Sequence, residues 1–197
     1  MADKCRECGG EVAERVAPVT HQVGRKEVLV EEDWHLYCAS CGTISYRGTM
    51  LDESQRKIAA KIRHEEGLLS PDELRAIRLK YGFTQAEMER LLTIGPKTWV
   101  RWERGKVVQT SAADQLIRVM ARNPEALRDM MQTRGLHSEA AERVLAEIDE
   151  KIRVRIEDGL RAKFPEVNPE ILREMSAIAA GEVRTALHQK VTGEMAA

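Results

Sequence analysis

Residues 70–105 read SPDELRAIRLKYGFTQAEMERLLTIGPKTWVRWERG, and this stretch decides the fold. Ser70-Pro71-Asp72-Glu73 supplies an N-cap serine, a proline at the first helical position and a glutamate able to bond back to the cap. The helix it opens carries Leu74, Ile77 and Leu79 and stops at Gly82. Thr84-Gln85-Ala86-Glu87 repeats the capping device ahead of Ala86, Met88, Leu91 and Leu92. Thr93-Ile94-Gly95 breaks that second helix. Pro96 starts a third, Lys97 to Arg104, which Gly105 halts. A fourth spans about Ser111 to Arg122, with Leu116, Ile117, Val119 and Met120 apolar. Asn123-Pro124 caps a short fifth through Leu127, Met130 and Met131.

Helix, short turn, helix, with further helices packed around them, is the helix-turn-helix arrangement. The third helix is the expected reader. Lys97, Thr98, Arg101 and Arg104 stand at i, i+1, i+4 and i+7 and should share one face, while Val100 points into the core near the aromatics. Arginine can pair with guanine O6 and N7 in the major groove, and lysine can do similarly or hold phosphate. Arg101 and Lys97 are therefore the expected base readers. Gln85, Thr98, Arg104 and Lys106 are the expected phosphate holders, Gln85 from the start of the second helix where unpaired amides favour anions.

The charge pattern agrees. The 197 residues carry 31 Lys plus Arg against 32 Asp plus Glu, net −1, which excludes binding of nucleic acid through bulk positive charge. By segment, however, residues 1–70 are net −2, 71–134 net +4 and 135–197 net −3, so the positive excess sits with the reader helix. At 43% apolar the chain is too hydrophobic for full disorder, and at 4% aromatic its cores should be small, aliphatic and helical. No run of 18 apolar residues exists and the N-terminus lacks an apolar signal region, so the expected location is the cytoplasm and no membrane partner is expected.

Ahead of the helices stand Cys5-x-x-Cys8 and Cys38-x-x-Cys41. In a reducing compartment two such pairs read as metal ligands, and four thiolates close a tetrahedral shell around one structural Zn²⁺. Glycines follow each pair (Gly9-Gly10 and Gly42), where a tight turn needs positive φ. His35 could compete as a ligand, but four cysteines already fill the shell, and it is expected to be a plain strand residue. Val28-Leu29-Val30 and Trp34-His35-Leu36-Tyr37, with a turn at Gly24-Arg25-Lys26, imply a small antiparallel sheet running to about Tyr46. The metal substitutes for the core that so short a segment lacks. From Leu51 to about Glu66 a stripe of Leu51, Ile58, Ala59 and Ile62 marks a linker helix that Gly67 stops.

Residues 135–197 read as two helices. Ala141, Val144, Leu145, Ile148, Ile152, Ile156 and Leu160 form one stripe, ended by Phe164-Pro165. Asn168-Pro169-Glu170 caps a second helix with Ile171, Leu172, Met175, Ile178, Val183, Ala186 and Leu187. A hairpin that packs or dimerises is expected here, ahead of a docking segment for another protein.

The whole is then a mostly α chain: a zinc-binding β module over 1–49, a linker helix over 50–69, a five-helix DNA-binding domain over 70–134 and a helical hairpin over 135–197. Its first 131 residues resemble the MqsA (YgiT-type) antitoxins of bacterial type II toxin–antitoxin systems. The resemblance rests on Cys5, Cys8, Cys38 and Cys41, on GRKEVLVEEDWHLYCASCG at 24–42, and on LRAIRLKYGFTQAEMERLLTIGPKTWVRWERGKV at 74–107. The WERG within it resembles a pattern shared among Xre-type repressors. The resemblance implies that the zinc module binds a partner toxin, an mRNA-cleaving ribonuclease, and that the helix-turn-helix binds a palindromic operator in its own promoter as a homodimer. It implies an Asn and an Arg on the bases. Arg101 holds the Arg position, but Lys97 stands where the Asn would be, which shifts the expected base from adenine to guanine or phosphate. Some related antitoxins dock a SecB-like chaperone through a C-terminal extension, though nothing in 135–197 identifies such a motif.

The alternative is a zinc-stabilised transcriptional regulator with no toxin partner; a third reading makes the C-terminal hairpin an adaptor. An enzyme is not expected. His21, His35, His64, His137 and His188 are scattered, and no phosphate-binding glycine loop or GxSxG elbow occurs.

Overall fold

The computed structural model describes residues 4–194, with side chains through Glu182. It is mostly helical, with a small N-terminal antiparallel sheet, as the capping signals and strand-like runs imply. The chain divides into two compact units. The first comprises residues up to Leu74 together with Val100–Ser111; the second comprises Arg75–Trp99 and the chain from Ala112 onward.

The first unit opens on strand β1 (Val12–Val23), which turns through Gly24-Arg25 into β2 (Lys26–Cys38), and a two-residue β3 (Ile44–Ser45) pairs with the end of β2. Gly24 at φ 61° lets this two-residue turn follow the twist of the strands. The register runs from Val23↔Lys26 to Val19↔Val30, then resumes at Ala17↔Asp33. Glu31 and Glu32 thus face the single Pro18, a bulge on β2. Proline lacks an N–H for the ladder and is tolerated here because β1 is an edge strand.

Helix α1 (Thr49–Glu66) lies against β2, and Gly67 at φ 63° stops it. Its buried stripe is Met50, Ser54, Ala59 and Ile62; Leu51, expected inside, is 45% exposed. Lys57 and Lys61 donate from α1 to the carbonyls of Glu32 and Leu29, capping main-chain groups of β2 where β3 does not reach. Arg63 is buried and donates to the carbonyls of Gly105 (3.3 Å) and Val107 (3.4 Å).

Helix α2 (Pro71–Lys80) begins in this unit with the expected cap: Ser70 N–H donates to Glu73 Oε2 (2.8 Å), and Glu73 N–H to Ser70 Oγ (3.2 Å). The second unit holds its remainder, then α3 (Gln85–Leu91). Helix α4 (Thr98–Glu103) starts here and continues into the first unit. The second unit resumes with α5 (Ser111–Arg122), α6 (Pro124–Thr133), α7 (Glu139–Lys163) and α8 (Pro169–Glu194). Its core is Tyr81, Phe83, Met88, Leu91, Trp99, Ile117, Met120, Leu127 and Met131. Leu79, Leu116 and Val119, apolar positions of α2 and α5, are exposed.

Helices α7 and α8 form the hairpin. Ala141, Leu145 and Leu172 are buried, and Glu157 accepts from Arg153 (3.1 Å) and Arg161 (2.9 Å). Ile152, Ile171, Met175 and Ile178 stay at least 41% exposed, so both stripes are only partly covered. Val183, Ala186 and Leu187 lie outside the residues whose side chains are described. Among the described residues no helix is long and apolar enough to cross a membrane.

Trp99 is the largest side chain with no exposure. Trp99→Ala should cost about 3–5 kcal/mol and lower the thermal midpoint by roughly 6–20 °C. Phe164→Ser, at a position 43% exposed, should move it little; comparable shifts for the two variants in scanning calorimetry would contradict this core assignment.

Candidate metal centre and reader helix

Each cysteine pair is built on the same turn. In the first, Gly9 N–H donates to Cys5 O (2.9 Å) and Cys5 N–H to Gly10 O (2.7 Å). In the second, Gly42 N–H donates to Cys38 O (2.8 Å) and Cys38 N–H to Thr43 O (3.0 Å). Gly9 and Gly42 each follow the second cysteine and take φ 72° and 75°, the left-handed backbone their positions require. Gly10 completes the join, since a Cβ there would come within 2.7 Å of Ser40 Oγ on the opposite turn.

The turns bring all four sulfurs within 4.8 Å of one another. Cys5 Sγ and Cys41 Sγ are 3.6 Å apart, as are Cys8 Sγ and Cys38 Sγ. A disulfide needs roughly 2.05 Å. Four thiolates about 2.3 Å from a central cation form a tetrahedron with edges near 3.8 Å. The spacing fits a metal shell, and the cluster could hold a metal ion. Cys5 and Cys38 are buried; Cys8 and Cys41 are exposed. The Thr43 hydroxyl and amide lower the Cys41 thiol to about 6. At Cys8 the Gly10 amide pulls downward, but the neighbouring sulfurs Cys41 and Cys38 outweigh it and the thiol is pushed up to about 12. Four thiolates this close repel one another, so a cation is what allows all to ionise together.

His35 is not among these ligands. Its Nδ1 meets the Asp33 carbonyl at 2.9 Å, on the buried side of β2. The same side holds a polar cluster that sequence reading missed. Asp33 has no exposure, and its Oδ2 accepts from His21 Nε2 (2.7 Å) and from the Tyr46 hydroxyl (2.5 Å). Ser54 Oγ lies 3.5 Å from the same His21 nitrogen. Burial, reinforced by the bond to Asp33, raises the Tyr46 phenol well above its ordinary range. His21 opposes Val28, not Asp33, and reaches the carboxylate because of the bulge. No local pattern reveals that, since it depends on strand register.

Helix α4, the expected reader, is set by α3. Thr84 and Glu87 form the expected capping box, and Glu89 Oε1 accepts from Trp99 N–H (3.0 Å) across the intervening turn. Thr93 and Lys97 take φ 55° and 63°, rare for residues with a Cβ. Helix α4 therefore begins at Thr98, and Lys97 does not join its face by helical spacing. Trp99 and Trp102 occupy the buried side, and Val100, expected in the core, is only half-buried. Lys97, Arg101 and Arg104 are exposed; Thr98 and Gln85 are half-buried. Lys106 is ion-paired to Asp52 at 2.6 Å, which holds that carboxyl below its ordinary range.

Compared with known proteins, the chain matches over residues 3–131 a family described as "Antitoxin component of bacterial toxin-antitoxin system, MqsA". It is also similar to "Antitoxin HigA-2" of Vibrio cholerae serotype O1 (strain ATCC 39315 / El Tor Inaba N16961). The two are 31% identical over 78 residues, 38% of this chain and 75% of that protein.

Two outcomes check the geometry. Cys38→Ser should leave less than about a tenth of the wild-type bound metal after dialysis, measured by elemental analysis, because a three-sulfur shell binds far more weakly. His21→Ala leaves the buried Asp33 carboxyl without its nitrogen partner and should cost about 1–3 kcal/mol in denaturant unfolding; a cost below about 0.5 kcal/mol would show that the pair is not needed for stability.

Proposed function

The chain belongs to the MqsA family of antitoxins, components of bacterial toxin–antitoxin systems, and from that premise we propose that it neutralises a partner toxin and represses its own promoter. In this reading the modules are 1–49, 50–69, 70–134 and 135–197. The four cysteines, Cys5, Cys8, Cys38 and Cys41, hold one structural Zn²⁺, whose tetrahedral preference the sulfur spacing suits. That closed shell has no open position for chemistry, and the protein acts as a regulator, not an enzyme. The metal-clamped module masks the toxin, an mRNA-cleaving ribonuclease, by protein–protein contact.

The helix-turn-helix works as a homodimer on an inverted repeat. The observation that carries the reading is the division of α4, with both tryptophans buried and Arg101 and Arg104 exposed beside them. Arg101 reads guanine, and Arg104, Thr98 and Gln85 hold phosphate. Lys97, on a left-handed turn before the helix, is placed for phosphate or a guanine edge. Lys106 joins them only by releasing Asp52.

Arg101→Ala should weaken binding to the promoter fragment at least tenfold at physiological salt while leaving the far-UV circular dichroism unchanged. Wild-type affinity in that variant would refute the reader assignment. Co-expression with the adjacent reading frame separates this account from a stand-alone regulator. Growth rescued by the wild-type chain supports the antitoxin role, and growth arrest that the chain cannot relieve contradicts it.

A further inference from the structure

The segment that follows α4 is fastened to both ends of α1. Gly105 N–H donates to Trp102 O (2.9 Å) and Lys106 N–H to Arg101 O (3.1 Å), the pattern that closes a helix on a left-handed glycine. Gly105 takes φ 70°, and a Cβ there would lie 3.3 Å from Arg63 Nη2 and 3.4 Å from Pro71 Cγ. Arg63, in the last turn of α1, is buried and has no carboxylate partner among the described residues. Its guanidinium meets the carbonyls of Gly105 and Val107 instead, at the end of α4 where helix carbonyls carry negative partial charge. Lys106 stands between those two carbonyls, so its main chain is held on both sides.

The side chain of Lys106 reaches the other end of α1. Its Nζ donates to Asp52 Oδ1 at 2.6 Å, and the two side chains are 25% and 42% exposed. A carboxylate oxygen offers an ammonium the same charge-assisted contact as a phosphate oxygen. The pair lies at the surface, where a backbone phosphate can compete for the lysine. Asp52 has other support. It sits in the first turn of α1, where unpaired amides favour anions. Lys106 first, and then Arg56 one turn along α1, hold its carboxyl below the ordinary range. Losing Lys106 therefore does not strand the carboxylate, and exchanging Asp52 for a phosphate costs little.

We propose that α1 sets the DNA affinity of the chain through this segment: Arg63 positions Lys106 at the end of α4, and Asp52 occupies its ammonium until a backbone phosphate takes the carboxylate's place. This rests on the DNA-binding reading above and adds to it two positioning residues, Arg63 and Asp52, that lie outside the helix-turn-helix. The consequence is a restrained protein. Lys106 makes its phosphate contact against a competing anion of its own chain, so removing that anion strengthens DNA binding, and does so only while Lys106 is present and held in place.

The test uses the full-length chain and a promoter duplex, with affinities from fluorescence anisotropy at several salt concentrations. Exposed ion pairs are weak, so Asp52→Asn should tighten binding about twofold to fivefold. Lys106→Ala should weaken binding and lower the salt slope by about one. In the Lys106→Ala background, Asp52→Asn should change affinity by less than about 1.5-fold. Arg63→Met keeps the apolar stem without the carbonyl bonds and should likewise shrink the gain from Asp52→Asn below about 1.5-fold. A merely structural Arg63 lowers the melting midpoint and leaves that gain intact, which overturns its positioning role. Circular dichroism and metal content report whether each variant folds, and Arg63→Lys, which keeps the charge but not the two-pronged bond, reads the same coupling where Arg63→Met does not fold. If the wild-type chain does not bind the duplex, the DNA-binding reading fails and the inference with it. If it binds and Asp52→Asn gives no gain, or gives the same gain without Lys106, the reading stands and the restraint by Asp52 is wrong.

Discussion

Four sulfurs within 4.8 Å of one another govern the N-terminal module. Unmetallated, four thiolates this close would repel one another. A soft cation held there would remove that repulsion and join the chain near its start to the end of β2. The join matters because the sheet has little core of its own: one face rests on α1, the other leaves Val16 61% exposed, and β3 is two residues long. Binding energy at a metal held there would take the place of buried area.

Much of this was legible. Paired CxxC spacing implies a closed shell whatever the surrounding fold, and glycine after each second cysteine follows from the turn. Capping boxes at Ser70 and Thr84 are local chemistry, so both helix starts came out as read. Helix α5 matches its expected span from Ser111 to Arg122.

What was not legible depended on register or on rare backbone. Strand β1 is exposed along most of its length and broken by Pro18, so neither alternation nor hydrophobicity announces it. The Asp33–His21–Tyr46 cluster needs the bulge to exist. Lys97 shows no sequence sign of its left-handed φ, and a spacing argument that begins there places it on a helix it precedes. Leu79, Leu116 and Val119 are apolar yet exposed, because an apolar stripe shows which residues are able to be buried, not which have a neighbour to bury them.

The chain therefore joins a four-cysteine module that could hold a metal ion to a helical domain with outward arginines. Native mass spectrometry of the full chain with the adjacent gene's inactivated product and a promoter duplex tests that most directly. The account predicts a single species containing the duplex, the neighbouring protein and one zinc per antitoxin chain. A zinc-free chain in that species, or a zinc-loaded chain that takes the duplex and never the neighbouring protein, would contradict it.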